Sequence, residues 1–275
     1  MSTLQLILDL ARSSIAMLVL SYASWSDYKT REVSNRVWLL FAPVAFGLTT
    51  TELLLAVPNG TSDLLPYATC FGLTSGFAIL IFYTGGFGGA DAKALMCLAL
   101  ALPFYPDKLL APITHDISLI SQNFFPISVF TNSVLFAALA ALAMLFYNMS
   151  KRLMTHENLF QGDHKRESIG KKILVLLTGY KVPVEELKEK WHVYPLEDVE
   201  KTEENRLKRK LIILPKDEGR KEIVERIDEA IKSGAIPNEV WATPGLPMLI
   251  FILAGLITAL FFGDIIWICM RLLLR

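Results

Sequence analysis

Six apolar runs constrain this chain more than any other feature, because each is suited to crossing a lipid bilayer. A bilayer-spanning helix needs roughly 20 mostly apolar residues, and 53% of the 275 residues are hydrophobic. Backbone N–H and C=O groups find no partners in lipid, so such runs must be helices that bond internally. The sequence therefore predicts six transmembrane helices: Leu4–Trp25, Val37–Val57, Leu65–Thr84, Ala90–Tyr105, Ile127–Tyr147 and Leu246–Met270.

The charged residues are concentrated between the fifth and sixth runs. From Asn148 to Thr243 the chain carries 19 Lys/Arg and 18 Asp/Glu, which indicates a water-facing segment. Asp217–Ser233 has the periodicity of an amphipathic helix. Trp191–Tyr194 and Leu211–Leu214 have the composition of short strands. The charge-rich stretch Glu197–Lys210 is typical of a solvated connection.

These patterns predict an all-α membrane protein: six transmembrane helices with a small α+β cytoplasmic insert before the last helix. The predicted divisions are a membrane domain at residues 1–147, a soluble domain at residues 148–243 and the last helix at residues 244–275. The net charge is zero, so we expect no nucleic-acid partner.

Lys and Arg residues in short loops set the orientation of the spans. Such residues lie after the first run, after the third run and at the end of the fifth run. They are Lys29, Arg31, Arg36, Lys93, Lys151 and Arg152. If six spans alternate, these positions share one face of the membrane. We therefore predict a multi-pass protein of the cell membrane, surrounded by lipid, with residues 148–243 in the cytoplasm and both termini outside.

Two aspartates lie at the edges of predicted spans. Asp27 follows the apolar run Ile15–Trp25, and Asp91 opens the run after the glycine-rich segment Gly85–Gly89. An ionisable side chain in this position is costly and indicates a functional site. Because both aspartates fall on the same predicted face, they suggest an intramembrane aspartyl protease.

Paired carboxyl groups suit peptide hydrolysis. Two carboxylates about 4 Å apart repel by roughly 4 kcal/mol at an effective dielectric constant near 20, so the pair shares one proton. One group can then activate water while the other protonates the scissile carbonyl oxygen. Asp91 lies in the first turn of a predicted helix, where the macrodipole favours a carboxylate, whereas Asp27 lies near a helix end. We therefore expect Asp27 to hold the shared proton at rest.

The glycines and a nearby lysine are candidate substrate contacts. A backbone without Cβ atoms can approach a substrate strand closely, and β-addition to such a backbone would hold an extended peptide. A tight turn between two helices explains the glycines equally well, and Lys93 could instead be an interfacial anchor. The candidate substrate-binding residues are Gly85, Gly86, Gly88, Gly89 and Lys93.

Motifs around both aspartates resemble those of a known family. Asp27–Asn35 looks like the first aspartate motif of type IV prepilin peptidases and archaeal preflagellin peptidases. Gly88–Lys93 looks like their second motif, of the GxGD type, with Ala90 in place of the motif's second glycine. Gly179–Pro183 and Glu239–Pro244 are similar to the archaeal branch in particular.

The resemblance implies six transmembrane helices with Asp27 and Asp91 as the catalytic pair at the cytoplasmic face. It implies removal of short basic leader peptides from archaellin or pilin precursors, and no metal or organic cofactor. Many bacterial members add a methyltransferase activity and paired CxxC motifs. The cysteines here form no CxxC, so we predict peptidase activity alone.

Two other functions would also use intramembrane carboxyl groups. A transporter or channel could use them as a proton relay, which requires them near the middle of the membrane and facing a pore. A presenilin-like GxGD protease would cut inside a substrate helix and needs more spans than six apolar runs supply.

Other polar and small residues in the runs have structural explanations. We expect three acidic residues near the predicted outer ends of spans to be solvated: Asp9, Glu52 and Asp264. Small-residue stripes on the third and sixth runs are typical of helix packing; they contain Gly72, Gly76, Gly255, Ala259 and Gly263.

Overall fold

The computed structural model describes residues 3–56, 64–113, 117–156, 158–201, 207–213, 219–245 and 247–274. In chain order the elements are α1 (Thr3–Thr30), α2 (Asn35–Ala56), α3 (Leu64–Tyr83), α4 (Gly89–Ala101), α5 (Leu119–Asn123), α6 (Phe125–Thr155), a 3-10 helix (Gly162–Arg166), α7 (Ile169–Thr178), β1 (Tyr180–Val182), α8 (Val184–Glu189), β2 (Tyr194–Pro195), β3 (Glu197–Lys201), β4 (Leu207–Leu211), α9 (Arg220–Lys232), β5 (Val240–Thr243), α10 (Met248–Phe262) and α11 (Ile265–Leu273).

The chain divides into two compact units. The first unit contains Met1–Ala137 and Pro247–Arg275, and the second contains Ala138–Leu246. The elements that the structure describes in the first unit are helical, whereas the second unit combines short helices with two small sheets.

Helix α4 is the centre of the first unit. It packs against α1, α2, α3 and α10, and most of its side chains are buried. Many of them are alanines, and small side chains let neighbouring helices approach closely. The helix that carries Asp91 is therefore held on several sides by the rest of the unit.

Among the described residues, four helices are long and apolar enough to cross a membrane: α1, α2, α3 and α6. A fifth candidate is the pair α10 and α11, which is bent by 57° at a short break. These helices make the chain a multi-pass membrane protein. The break follows from Gly263, which has a positive φ of 77°, and from Asp264, whose carboxylate caps the start of α11.

The predicted count of six spans is not confirmed, because the fourth run forms a helix of only 13 residues. At 1.5 Å per residue it is about 20 Å long, shorter than the roughly 30 Å hydrocarbon core. Pro103 disfavours helical geometry at Leu102 and thereby ends α4. Four ends of predicted elements lie outside the described residues: Val57, Leu214, Asp217 and Leu246.

The expectation that the acidic residues near the span ends are solvated was wrong. Asp9 and Arg12 are buried and form an ion pair within α1. Arg12 also pairs with the partly buried Glu52 on α2. Asp264 is buried as the cap of α11. Each carboxylate has a partner inside the protein that replaces solvent.

Helices α6 and α10 approach closely at Gly255. A Cβ atom there would lie 2.3 Å from the Ser133 hydroxyl oxygen and 2.5 Å from the Val129 carbonyl oxygen. At Gly72, in the GxxxG stripe of α3, a Cβ atom would meet nothing within 4 Å. The packing role expected of small residues is therefore seen at Gly255, whereas Gly72 has room for a methyl group.

Gly255→Ala should lower the stability of the protein, because the new methyl group overlaps backbone as well as side-chain atoms. Overpacking of this kind costs about 1–3 kcal/mol. Gly72→Ala is the matched control, and it should be neutral or stabilising because alanine favours a helix. Thermal unfolding in detergent micelles measures both variants. Equal melting temperatures for the two variants would contradict the close approach.

The second unit contains a three-stranded antiparallel sheet, ordered β1-β5-β2, and the antiparallel hairpin β3-β4. Helix α9 confirms the predicted amphipathic helix and buries Val224, Ile227 and Ala230. The predicted strand Trp191–Tyr194 begins only at Tyr194, because the preceding residues form a turn.

The stretch Glu197–Lys210 is not the predicted solvated connection, because its two ends form the hairpin β3-β4. Opposite charges face each other across it, as in the pairs Asp198 with Lys210 and Glu200 with Lys208. Cross-strand pairs of opposite charge stabilise antiparallel strands. The high charge density that indicated a solvated connection therefore belongs to a ladder of paired side chains.

A buried polar cluster lies at the hairpin. Glu197 accepts a 2.6 Å hydrogen bond from Arg209, and its other oxygen lies 3.4 Å from Nε2 of His164. Burial, with the nearby Arg209 charge, lowers the pKa of His164 to about 4. Burial raises the pKa of Glu197. His164 is therefore neutral at pH 7.

The low pKa of His164 should contribute a loss of stability to the second unit as the pH falls from about 6.5 to about 4. In that window the unfolded chain binds a proton that the folded chain does not. This difference lowers the free energy of unfolding by about 3 kcal/mol. His164→Gln should lack this component, so the stability difference between the two proteins should change with pH. Denaturant unfolding followed by tryptophan fluorescence measures it. Parallel pH profiles would contradict the prediction.

Candidate active site

Asp27 lies on α1, one turn before the helix ends at Thr30, and its side chain is half-buried. The backbone N–H of Leu249, in the first turn of α10, lies beside its carboxyl group. Ser24, one turn earlier on α1, donates to the Leu249 carbonyl oxygen at 2.9 Å. The start of α10 is thus attached to α1 beside Asp27, and the charge of Arg31 also acts on the carboxyl group.

Asp91 is the third residue of α4 and is 9% exposed. One of its carboxylate oxygens accepts a 3.0 Å hydrogen bond from the backbone N–H of Gly88, the residue before the helix. This reaching-back bond is one half of a capping box. A Cβ atom on Gly88 would lie 3.1 Å from the same oxygen, so glycine allows the close approach.

Ala90 fits the local backbone although it departs from the glycine motif. It is the second residue of α4 and has no positive φ. Alanine is the best helix former, and the methyl group packs against the core of the unit. Its presence therefore leaves the placement of Asp91 undisturbed.

The structure brings the two predicted catalytic residues together. Helix α4 packs against both α1 and α10, and the charge of Asp27 acts directly on the Asp91 carboxyl group. Each carboxyl group also faces the start of a helix, α4 for Asp91 and α10 for Asp27. The prediction that Asp27 holds the shared proton at rest relied on Asp91 alone lying at the start of a helix. The structure places the start of a helix beside both carboxyl groups, so helix position does not distinguish them.

The glycine-rich segment is a turn between α3 and α4. Gly85 has a φ of 77°, a conformation that favours glycine. Its N–H bonds to the Phe82 carbonyl oxygen, and that of Gly86 bonds to Ile81. With the Gly88 N–H also occupied, these three glycines present no free strand edge. The turn is the alternative that the geometry favours over β-addition.

Lys93 lies apart from the aspartates. Its exposed ammonium group donates to the side-chain oxygen of Asn35 at 2.7 Å, joining the start of α2 to α4. Residues two positions apart point to opposite sides of a helix, so Lys93 faces away from Asp91.

Two residues beside Asp27, Ser24 and Leu249, were not predicted from the sequence. Their contact joins segments more than 200 positions apart, and no local pattern indicates it.

Two family matches cover most of the chain. Residues 14–149 match the Type IV leader peptidase family, and residues 171–265 match the Archaeal Peptidase A24 C-terminus Type II. The first match contains Asp27, Asp91 and the turn between α3 and α4.

Three similar proteins are preflagellin peptidases. That of Methanococcus maripaludis is 26% identical over 91% of this chain and 94% of its own length. That of Methanococcus voltae is 25% identical with the same coverage. That of Methanocaldococcus jannaschii is 23% identical over 91% of this chain and 93% of its own length. With the two family matches, they show that the chain belongs to the type IV leader peptidase family.

Proposed function

We propose that this protein is a membrane aspartyl endopeptidase that removes short basic leader peptides from archaellin or pilin-like precursors. The observation that carries the proposal is the pair of carboxyl groups, Asp27 and Asp91, brought together on α1 and α4. Family membership and the names of the similar proteins support leader peptides as the substrate class. Apposed carboxyl groups favour hydrolysis over the proton relay of a transporter.

In the proposed mechanism the two carboxyl groups share one proton and hold one water molecule. The ionised carboxylate takes a proton from the water molecule while the water oxygen attacks the scissile carbonyl carbon. The protonated partner gives its proton to the carbonyl oxygen. The tetrahedral intermediate then breaks its C–N bond. The leaving amine takes a proton from the carboxyl pair. A hydroxyl group of the intermediate gives a proton back to the pair as the new carboxyl terminus forms, so the pair again holds one shared proton.

We further propose six membrane passes, in which α4 is a short pass sheltered by its neighbours and α10 with α11 forms one bent pass. The aspartates would then lie at the cytoplasmic face together with residues 148–243, and both termini outside. The start of α4 and the start of α10 would share one level in the membrane, which is consistent with both helix starts facing the carboxyl pair.

The test incubates the purified full-length protein, in detergent or liposomes, with archaellin and pilin precursors. Mass spectrometry should find one cut, between the basic leader and the apolar segment that follows it. Proton flux across the same liposomes should match that of empty liposomes. Intact precursors together with proton flux would contradict the peptidase function and support a transporter instead.

A further inference from the structure

An apolar groove of about 720 Å³ runs beside α4 in the first unit. Its walls come from α2, α3 and α4, and most of the side chains lining it are aliphatic or aromatic. Its polar residues are Lys93 and Asn35, which are hydrogen-bonded to each other. A groove of this kind in a membrane protein suits an apolar helix.

One face of α4 forms part of this groove. Within residues 91–101 the side chains that are not buried are Lys93, Met96 and Leu100, and all three line it. Their spacing places them on a single helix face. Asp91 lies on another face of α4, so the helix separates the groove from the carboxyl pair.

A substrate chain could pass from the groove to the carboxyl pair over the start of α4. Gly88 is exposed and Gly89 is partly exposed, and neither has a side chain to obstruct it. A helix is about 10 Å across with its side chains, and an extended chain advances about 3.3 Å per residue. About three extended residues would therefore cover the distance.

We infer that this groove receives the apolar helix that follows the leader in the precursor, while the bond to be cut lies extended across Gly88 and Gly89. The inference rests on the proposed function and specifies how that site takes its substrate. A basic leader must remain in water, whereas the apolar segment that continues from the cut must lie in lipid. Lys93 repels basic residues from the groove and so favours entry of the apolar segment.

Trp38 supplies an independent observation. It lines the groove and is 5% exposed, and its indole N–H has no acceptor among the residues that the structure describes. A buried donor without a partner is costly. The extended residues of the substrate have carbonyl groups that no helix uses, and these are suitable acceptors for the indole.

The test compares Leu39→Trp with Leu40→Trp. Both leucines lie on α2 and are 72% exposed, but of the two only Leu39 lines the groove. Each variant is assayed with the full precursor and with a water-soluble peptide that ends shortly after the cut. Leu39→Trp should raise KM for the full precursor about tenfold by filling the groove, and should leave the short peptide unaffected. Leu40→Trp should change neither.

Trp38→Phe keeps the packing and removes the donor, so it should raise KM for the precursor about fivefold. Equal effects of Leu39→Trp and Leu40→Trp would overturn the inference, as would equal losses on both substrates. If the unaltered protein cleaves no precursor, the proposed function fails, and that result does not depend on any groove variant.

Photocrosslinking tests occupancy without catalysis. A photoreactive phenylalanine is placed at position 39 or 40 in the Asp91→Asn variant, and the precursor is added in liposomes. Position 39 should crosslink to the apolar segment of the precursor at least about tenfold more than position 40. Equal yields, or lipid adducts alone at position 39, would show that the precursor helix does not occupy the groove.

Discussion

Asp27→Asn and Asp91→Asn should each lower the rate of precursor cleavage by about 10³- to 10⁴-fold, because asparagine can neither accept nor donate the proton that the pair transfers. The amide oxygen at position 91 can still accept the hydrogen bond that Gly88 donates to the carboxylate, so the start of α4 should remain intact. Cleavage is measured by single-turnover kinetics on an archaellin precursor.

Asp107→Asn is the matched control, because Asp107 is an exposed acid in the same unit. It should cleave at the rate of the unaltered protein. All three variants should melt at similar temperatures in detergent, so that a loss of rate reflects chemistry. A variant at position 27 or 91 that retains more than about a tenth of the rate would remove that residue from the proton transfers.

Arg12→Met should have the largest effect on stability, because it leaves the buried Asp9 carboxylate without its ion-pair partner and also removes the partner of Glu52. Breaking a buried ion pair from one side costs about 3–5 kcal/mol. Thermal unfolding in detergent should show a clearly lower midpoint. Arg36→Met is the control, since Arg36 is exposed at the start of α2 and its loss should change the midpoint little.

The double variant Asp9→Leu/Arg12→Met separates charge from shape. It removes both buried charges of the pair within α1, and apolar replacements of buried pairs are often neutral. It should therefore recover much of the stability that Arg12→Met loses. If the double variant is less stable than Arg12→Met, the buried cluster contributes through packing and not through unpaired charge.

Much of the first unit could be predicted from apolar runs, because lipid leaves the backbone few alternatives to helices. The fourth and sixth runs are the exceptions, because neither forms the single long helix that its hydropathy predicts. Pro103 ends α4 early, and the positive φ of Gly263 breaks α10 from α11. Hydropathy averages over such positions, whereas one proline or glycine decides the backbone locally.

The candidate site was partly predictable. The aspartates stand out because carboxyl groups beside apolar runs are costly, and Gly88 follows from the motif. The contribution of α10 was hidden, because the contact between Ser24 and Leu249 joins distant parts of the chain. The burial of Asp9 was missed although its ion-pair partner Arg12 lies only three positions away on α1. Burial depends on how α1 packs against other helices, which apolar runs do not reveal.

The proposed mechanism requires Asp27 and Asp91 to act as one catalytic unit. The direct measurement is a cycle of single-turnover cleavage rates for the unaltered protein, Asp27→Asn, Asp91→Asn and the double variant, with the folded fraction of each determined. Groups that act as a unit are strongly non-additive. The proposed mechanism predicts that both single variants fall to the residual rate of the double variant. Rate losses that multiply in the double variant, or a single variant close to the unaltered rate, would contradict it.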